Sequence, residues 1–272
     1  MMHSSTDQSA HLLTSFSEGV LTITLNRPER RNALSPSMHD LFIRALTEAA
    51  DDSDVGVVIL TGSGGAFCAG GDVARMAGSG QDPLTFEQKA ANLRSRNQVT
   101  ELLHEMPKPT IAMISGAAAG AGLSLAMACD MRIADTQSKF TTAFIKVGLP
   151  GDFGGHYFLP RLVGAAKARE LYLTSPILSG QQALDIGLIN QLVEPDELYP
   201  TVTALAKKFA EGPRTAIGHM KANLNYALGA SLSDMLDHEA VRHVRCTETA
   251  DHKEATQAYV EKRAPRFGQN KQ

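Results

Sequence analysis

From Val20 to Leu25 the chain reads VLTITL, with branched apolar residues alternating with polar ones, and Pro28 follows. That is the pattern of a half-buried strand leaving its sheet. Ser35-Pro36 then supplies an N-cap and a proline at the first helical position, and Leu41, Phe42, Ala45, Leu46 and Ala49 form a helical stripe. Val55 to Thr61, VGVVILT, is apolar on both faces and predicts a buried strand. It runs into a glycine-rich stretch, Gly62 to Asp72, which reads as a loop able to present its backbone N–H groups.

A polar helix is expected over Phe86 to Glu105, closed by Pro107 and Pro109. The pattern then repeats: a strand at Thr110 to Ser115, small residues from Gly116 to Gly122, and a helix from Leu123 to Cys129. Two strand, glycine-loop, helix units in the first half predict an α/β fold. The strand signal stops after Asn190 to Val193, and Asp196 to Pro265 reads as helices. The expected division is a core over residues 1–200 and a helical segment over 201–272.

Composition narrows the class. Apolar residues make up 43% and charged residues 20%, ordinary globular usage that points to neither disorder nor a fibrous repeat. A net charge of −3 argues against a nucleic-acid surface. Cys68, Cys129 and Cys246 are far apart and form no C-x-x-C pair, as expected of reduced thiols. The N-terminal twenty residues lack the basic start and apolar run of a signal peptide. The longest small and apolar run, Ala117 to Cys129, is shorter than the ~18 residues that would span a bilayer. The expectation is a cytoplasmic protein with no membrane partner.

Several common chemistries find no motif. The chain has no G-x-x-x-x-G-K-[ST] loop, and Gly120-Ala121-Gly122-Leu123-Ser124-Leu125 lacks the last glycine of a dinucleotide fingerprint. His104-Glu105 has no second histidine at the H-E-x-x-H position, so no metal is expected. Gly122-Leu123-Ser124-Leu125-Ala126 approaches a G-x-S-x-G nucleophile elbow, but Ser124 falls within the predicted helix, where it reads as a packing residue.

Four ordered segments carry a resemblance. They are LNRPERRNALSPSMHDLF from Leu25, VVILTGSGGAFCAGGDV from Val57, ISGAAAGAGLSLAMACDMRIA from Ile114 and GLPGDFGGHYFLPRLVG from Gly148. With the closing AYVEKRAPRF they resemble the enoyl-CoA hydratase/isomerase (crotonase) family over nearly the whole chain. The resemblance implies a spiral of repeated ββα units, a C-terminal helical segment that assembles a homotrimer or homohexamer, and acyl-CoA thioesters as substrates. Coenzyme A is then part of the substrate, and no separate cofactor is expected.

Carried over residue by residue, the resemblance puts the two oxyanion donors at the backbone N–H of Gly71 and Ala121. Such donors stabilise a thioester enolate by about 3 kcal/mol each. It puts Arg30, Ala33, Ala69 and Asp72 along the CoA nucleotide, and Phe267 over the CoA of a neighbouring subunit. Hydratases of the family use two glutamates, and the matching places here hold Ser124 and Phe144. Adding water to a double bond takes one group to activate the water and another to supply a proton. Moving a double bond takes a single base, and Asp152 matches the aspartate of isomerase-type members, nearest to those of phenylacetyl-CoA breakdown. Phe144, Leu149 and Phe153 are expected to wall Asp152 in apolar surroundings, on a hinge made by Gly151 and Gly154. A double-bond or ring-epoxide isomerase is therefore the leading expectation. A hydratase using Asp152 with water, a Ser124 hydrolase and a non-catalytic CoA-thioester binder are the alternatives. The acyl group depends on the patternless segment from Arg75 to Arg96.

Overall fold

The computed structural model describes residues 10–78 and 83–268; residues 1–9, where the leader reading partly rests, and 79–82 of the patternless segment lie outside it. The chain opens with a hairpin of β1 (Leu12–Ser17) and β2 (Val20–Leu25), turned at Glu18 and Gly19, both with positive φ. Helix α1 (Pro36–Asp51) starts where the sequence placed it: the Ser35 hydroxyl accepts the Met38 N–H. Its stripe buries Phe42 and Leu46 completely, each contributing about 1.5–3 kcal/mol. Strand β3 (Val57–Gly62) follows, parallel to β2, with its first four residues buried.

After α2 (Val73–Gly78), the single helix expected over 86–105 is two helices, α3 (Phe86–Arg96) and α4 (Gln98–Glu105). They differ in duty. Helix α3 buries nothing, whereas α4 buries Val99, Thr100 and Leu103. The break at Asn97 arises because its carbonyl accepts both the N–H and the hydroxyl of Thr100, closing a three-residue turn in place of a four-residue one.

The second strand-loop-helix unit comprises β4 (Thr110–Ile114), β5 (Ala117–Ala119) and α5 (Ala121–Ala128). The run of small residues is thus not only loop: it holds a strand, and α5 begins two residues before the expected Leu123. A third unit brings β6 (Met131–Asp135) and β7 (Lys139–Thr141), then α6 (Gly155–Val163) and α7 (Ala165–Thr174). The core closes with β8 (Leu178–Ser179), α8 (Gly180–Asp185), β9 (Gln191–Val193) and α9 (Leu198–Ala210).

The strands form a sheet ordered β1-β2-β3-β4-β6-β9, parallel from β2 onward, and a smaller sheet ordered β5-β7-β8. Lone bridges join the glycine-rich loop to Leu34, just before α1, at Gly71 and to Ala118 of the small sheet at Cys68. The units β4-β5-α5 and β6-β7-α6 each give one strand to each sheet and then a helix, the ββα turn of the spiral.

Helix α9 crosses the expected division at residue 200. Its Leu198, Val202, Ala206 and Ala210 cover one sheet face against Val57, Ile59, Ile111 and Ile133. Helix α9 therefore packs as a cover of the sheet, and α10 (Arg214–Ala227), α11 (Leu232–Thr247) and α12 (Ala250–Glu261) follow it. Lys221 anchors α10: its buried ammonium donates to the Leu103 and Lys108 carbonyls and pairs with Asp130 at 2.8 Å. No helix among the described residues is long and apolar enough to cross a membrane.

Candidate active site

The two glycine loops meet backbone to backbone. A Cβ on Gly70 would stand 2.7 Å from the Ala119 carbonyl oxygen and 3.2 Å from the Ala121 nitrogen; one on Gly122 would overlap the Cys68 carbonyl. Only glycine permits that approach. Reciprocal bonds hold it: Cys68 N–H donates to the Ala117 carbonyl and Ala119 N–H to the Cys68 carbonyl, both at 2.9 Å. Gly71 follows the bend at Gly70, whose φ is +89°. Ala121 opens α5, where the first N–H groups have no intrahelical acceptor. Neither N–H has a protein acceptor among the described residues. Two free donors on facing loops suit one developing negative oxygen.

Asn32 pins the first loop from beneath. It is fully buried with φ of +57°, and its amide nitrogen donates to the Ser63 and Ala66 carbonyls while its oxygen accepts the Arg27 N–H. Sequence reading passed over it, although asparagine is a residue that tolerates this left-handed backbone.

Arg30, Ala33, Ala69 and Asp72 lie near one another around Arg27. Ala69 N–H donates to the Arg31 carbonyl, and the exposed Arg30 charge is felt by Asp72. The partner of Asp72, however, is Arg27, which also holds the Ala33 carbonyl at 2.7 Å. The Arg75 N–H first, and then the Arg27 guanidinium, keep the Asp72 carboxyl below the usual carboxylate range. Asp72 thus braces the loop, and Arg30 faces solvent beside it. Phe267 is not brought to this group: within one chain it lines a cavity of about 920 Å³ with Glu18, Lys108 and Arg214.

Asp152 lies between Gly151, at φ +129°, and Phe153, at φ +50°. Its Oδ1 is buried with no partner, and burial pushes the carboxyl up to about 6. The apolar wall differs from the expected one. Phe153 turns into the main core and stacks on His39 at 5.5 Å, and Leu149 keeps 44% exposure. Phe144 does face the site, with its ring 3.8 Å from where a Gly120 Cβ would lie, and it stacks on Tyr172. Tyr172 and His156, stacked at 4.2 Å, went unnoticed in the sequence because they stand on helices without motif character. Ser124 is fully buried and donates weakly, at 3.4 Å, to the Gly120 carbonyl inside α5, as expected of a packing residue. Cys68 and Cys129 are buried thiols pushed up to about 12, protonated and inert.

A spiral ββα core with two backbone N–H groups on facing loops and a half-buried carboxyl of raised proton affinity suits a class: proteins that stabilise an anionic oxygen with the help of an acid-base group. The profile of the enoyl-CoA hydratase/isomerase family matches residues 15–270, and the chain belongs to that family of acyl-CoA enzymes. It is 36% identical over 256 residues to the 1,2-epoxyphenylacetyl-CoA isomerase of Escherichia coli K12, covering 94% of this chain and 97% of the relative. It is 35% identical over 251 residues to the crotonyl-CoA hydratase of Syntrophomonas wolfei, covering 92% and 95%. Among solved structures, an enoyl-CoA hydratase of Polaromonas sp. JS666 superposes with a TM-score of 0.88 at 31% identity, covering 94% of this chain and 98% of that one.

Proposed function

We propose that this acyl-CoA enzyme is an isomerase, which shifts a double bond or opens a ring epoxide through a thioester enolate, with Asp152 as the acid-base group. The observation that carries the reading is the Asp152 carboxyl, half-buried with its Oδ1 unpartnered and raised to about 6, so that it is ionised near neutrality yet basic enough to take a carbon-bound proton. The thioester oxygen sits between the N–H groups of Gly71 and Ala121. Asp152 removes a proton from the acyl chain, electron density moves onto the thioester oxygen, and the two N–H groups stabilise it there. Asp152, now protonated, returns the proton to another carbon. The sequence is redox-neutral and uses no cofactor beyond the CoA carried by the substrate.

Arg30, exposed beside the Asp72 brace, is assigned to a CoA phosphate, and Ala33 and Ala69 to the edge of the nucleotide pocket. Phe267 is assigned to a neighbouring subunit's CoA. Hydration requires a second proton-transfer group, and Ser124 and Phe144 stand at both places where the hydratase pattern has glutamates. The test is a side-by-side assay of purified protein on 3-enoyl-CoA and 2-enoyl-CoA. Conversion of the 3-enoyl to the conjugated 2-enoyl thioester is the expected result. Hydration of 2-enoyl-CoA alone makes the protein a hydratase, release of free CoA makes it a hydrolase, and binding of both enoyl thioesters and of a ring-epoxide acyl-CoA with turnover of none makes it a non-catalytic member; each overturns the proposal.

A further inference from the structure

Asp152 sits in a turn that its own backbone does little to hold. Gly151, Phe153 and Gly154 have φ of +129°, +50° and +72°, so three of four successive residues have positive φ. Among the described residues no N–H of 151–154 donates to the protein, and the Asp152 carbonyl accepts one bond, from the Gly155 N–H at 3.2 Å. Two glycines adopt such dihedrals freely, but an aromatic residue at φ +50° is strained and persists only where its surroundings over-determine it.

Side-chain packing is what remains to hold the turn. The Phe153 ring is buried, and the His39 ring lies on it at 5.5 Å between centroids and 15° between planes. His39 belongs to α1, whose start is fixed by the Ser35 cap, and its own N–H donates to the Ser35 carbonyl. The stack thus ties the Asp152 turn to a capped helix far away in the chain. A histidine is a costly residue for this place: its side chain is buried and its Nδ1 has no partner, where leucine would leave no polar atom unpaired. What leucine lacks is a flat face to lie against Phe153.

We infer that His39 is a positioning residue: its ring, lying on Phe153, holds the left-handed turn that presents the Asp152 carboxyl. The inference rests on the acid-base role proposed above for Asp152 and adds what keeps that carboxyl in one place on a glycine hinge. Releasing Phe153 lets the turn relax, so that the carboxyl meets more water and leaves the position from which it reaches the acyl group. His39 takes no part in the proton transfer itself. Burial first, then Arg96 of α3, hold it at about 4 against the pull of Asp40, and Arg75 of α2 acts in the same sense as Arg96, so the ring is neutral where Asp152 titrates.

The test reads the Asp152 carboxyl directly. Carboxyl-selective carbon NMR titration of the full-length protein, with the signal assigned by its loss in Asp152→Asn, is expected to give a midpoint near 6 in the parent. His39→Ala is expected to move that midpoint down by about 1 pH unit or more, as water replaces apolar surroundings, and to lower kcat by about 10-fold or more with KM within about 2-fold. His39→Phe, which keeps a ring against Phe153, is expected to restore both. Phe153→Gly is expected to match His39→Ala, and the double variant to show no further loss. Should His39→Ala not fold, His39→Leu carries the same comparison. A folded variant that melts earlier but keeps the parental titration and kcat makes His39 a packing residue and overturns the inference, as does a His39→Phe that behaves like His39→Ala. If the carboxyl titrates as expected in every variant but the parent isomerises no enoyl-CoA, His39 keeps this role and the isomerase reading is the one that fails.

Discussion

The α-carbon of Gly70 faces the backbone nitrogen of Ala121 so closely that a methyl group there would lie 3.2 Å from that nitrogen. The residue after Gly70 and the residue at the start of α5 are the two proposed oxyanion donors, so this single approach sets their spacing. The spacing is held by bonds between Cys68 and its neighbours across the gap, with no side chain interposed.

Gly70→Ala meets this relationship directly. The substitution places a Cβ 2.7 Å from the Ala119 carbonyl oxygen at a φ of +89°, which favours glycine. The loops must separate, and turnover is expected to fall by about 100-fold or more, the effect of losing one donor. Steady-state rates on a substrate the parent turns over, with circular dichroism to show a retained fold, provide the check. A folded variant with parental rate removes the oxyanion assignment.

Asp152→Asn is expected to lower turnover by at least about 100-fold while keeping acyl-CoA affinity. Stability should move the other way. Because the folded carboxyl sits at about 6, above its unfolded value, the folded state holds the proton more tightly, and ionisation weakens the fold as pH rises through that window. Removing the carboxylate should therefore raise stability at pH 8 by up to about 3 kcal/mol and change little at pH 4. Urea titrations at the two pH values measure this. A variant that keeps its rate and unfolds more easily makes Asp152 a turn residue.

In the parent enzyme the same carboxyl should govern the acid side of the rate profile. Since the base form is required, kcat/KM is expected to fall as pH drops through about 6, tenfold per pH unit below it. A profile flat from pH 5 to 8 excludes Asp152 as the base.

His39 supplies an opposite pH effect on stability alone. It is buried under Phe153, and burial first, then the Arg96 charge, lower it to about 4. The unfolded chain binds the proton more tightly between about pH 6.5 and 4, so stability is full above 6.5 and is lost as pH falls, by up to about 3 kcal/mol. His39→Leu should flatten that part of the curve, as read by thermal melts from pH 4 to 7; an unchanged slope would place the loss elsewhere.

Ser124→Ala is expected to keep turnover within a few-fold, because its hydroxyl makes one long bond inside α5. Abolished turnover with intact CoA-thioester binding would instead make Ser124 a nucleophile.

Assembly is read from the C-terminal helices. Leu224, Leu232, Tyr259 and Val260 are 71 to 86% exposed on α10, α11 and α12, more apolar surface than a solitary helical segment ordinarily shows water. Light scattering is expected to report a trimer or a dimer of trimers; a monomer at micromolar concentration would contradict it.

Local chemistry was enough for much of this. Ser35-Pro36 starts a helix wherever it occurs before a helical apolar stripe, and VGVVILT has no polar face to give water, so α1 and β3 were legible. The glycines of both loops were legible as backbone-exposing, and the order of four motifs carried the family and with it the assignment proposed for Gly71, Ala121 and Asp152. Long-range packing decided the rest. Helix α9 belongs to the core because a sheet face made of Val57, Ile59, Ile111 and Ile133 has to be covered, a demand assembled from strands far apart in the chain. Arg27 in place of Arg30 holds Asp72, and Phe153 turns to His39, because direction and distance choose between equivalent neighbours. Tyr172 became part of the site only when α7 folded back against the α5 and α6 segment, since no spacing along the chain encodes which buried hydroxyl is left without a partner.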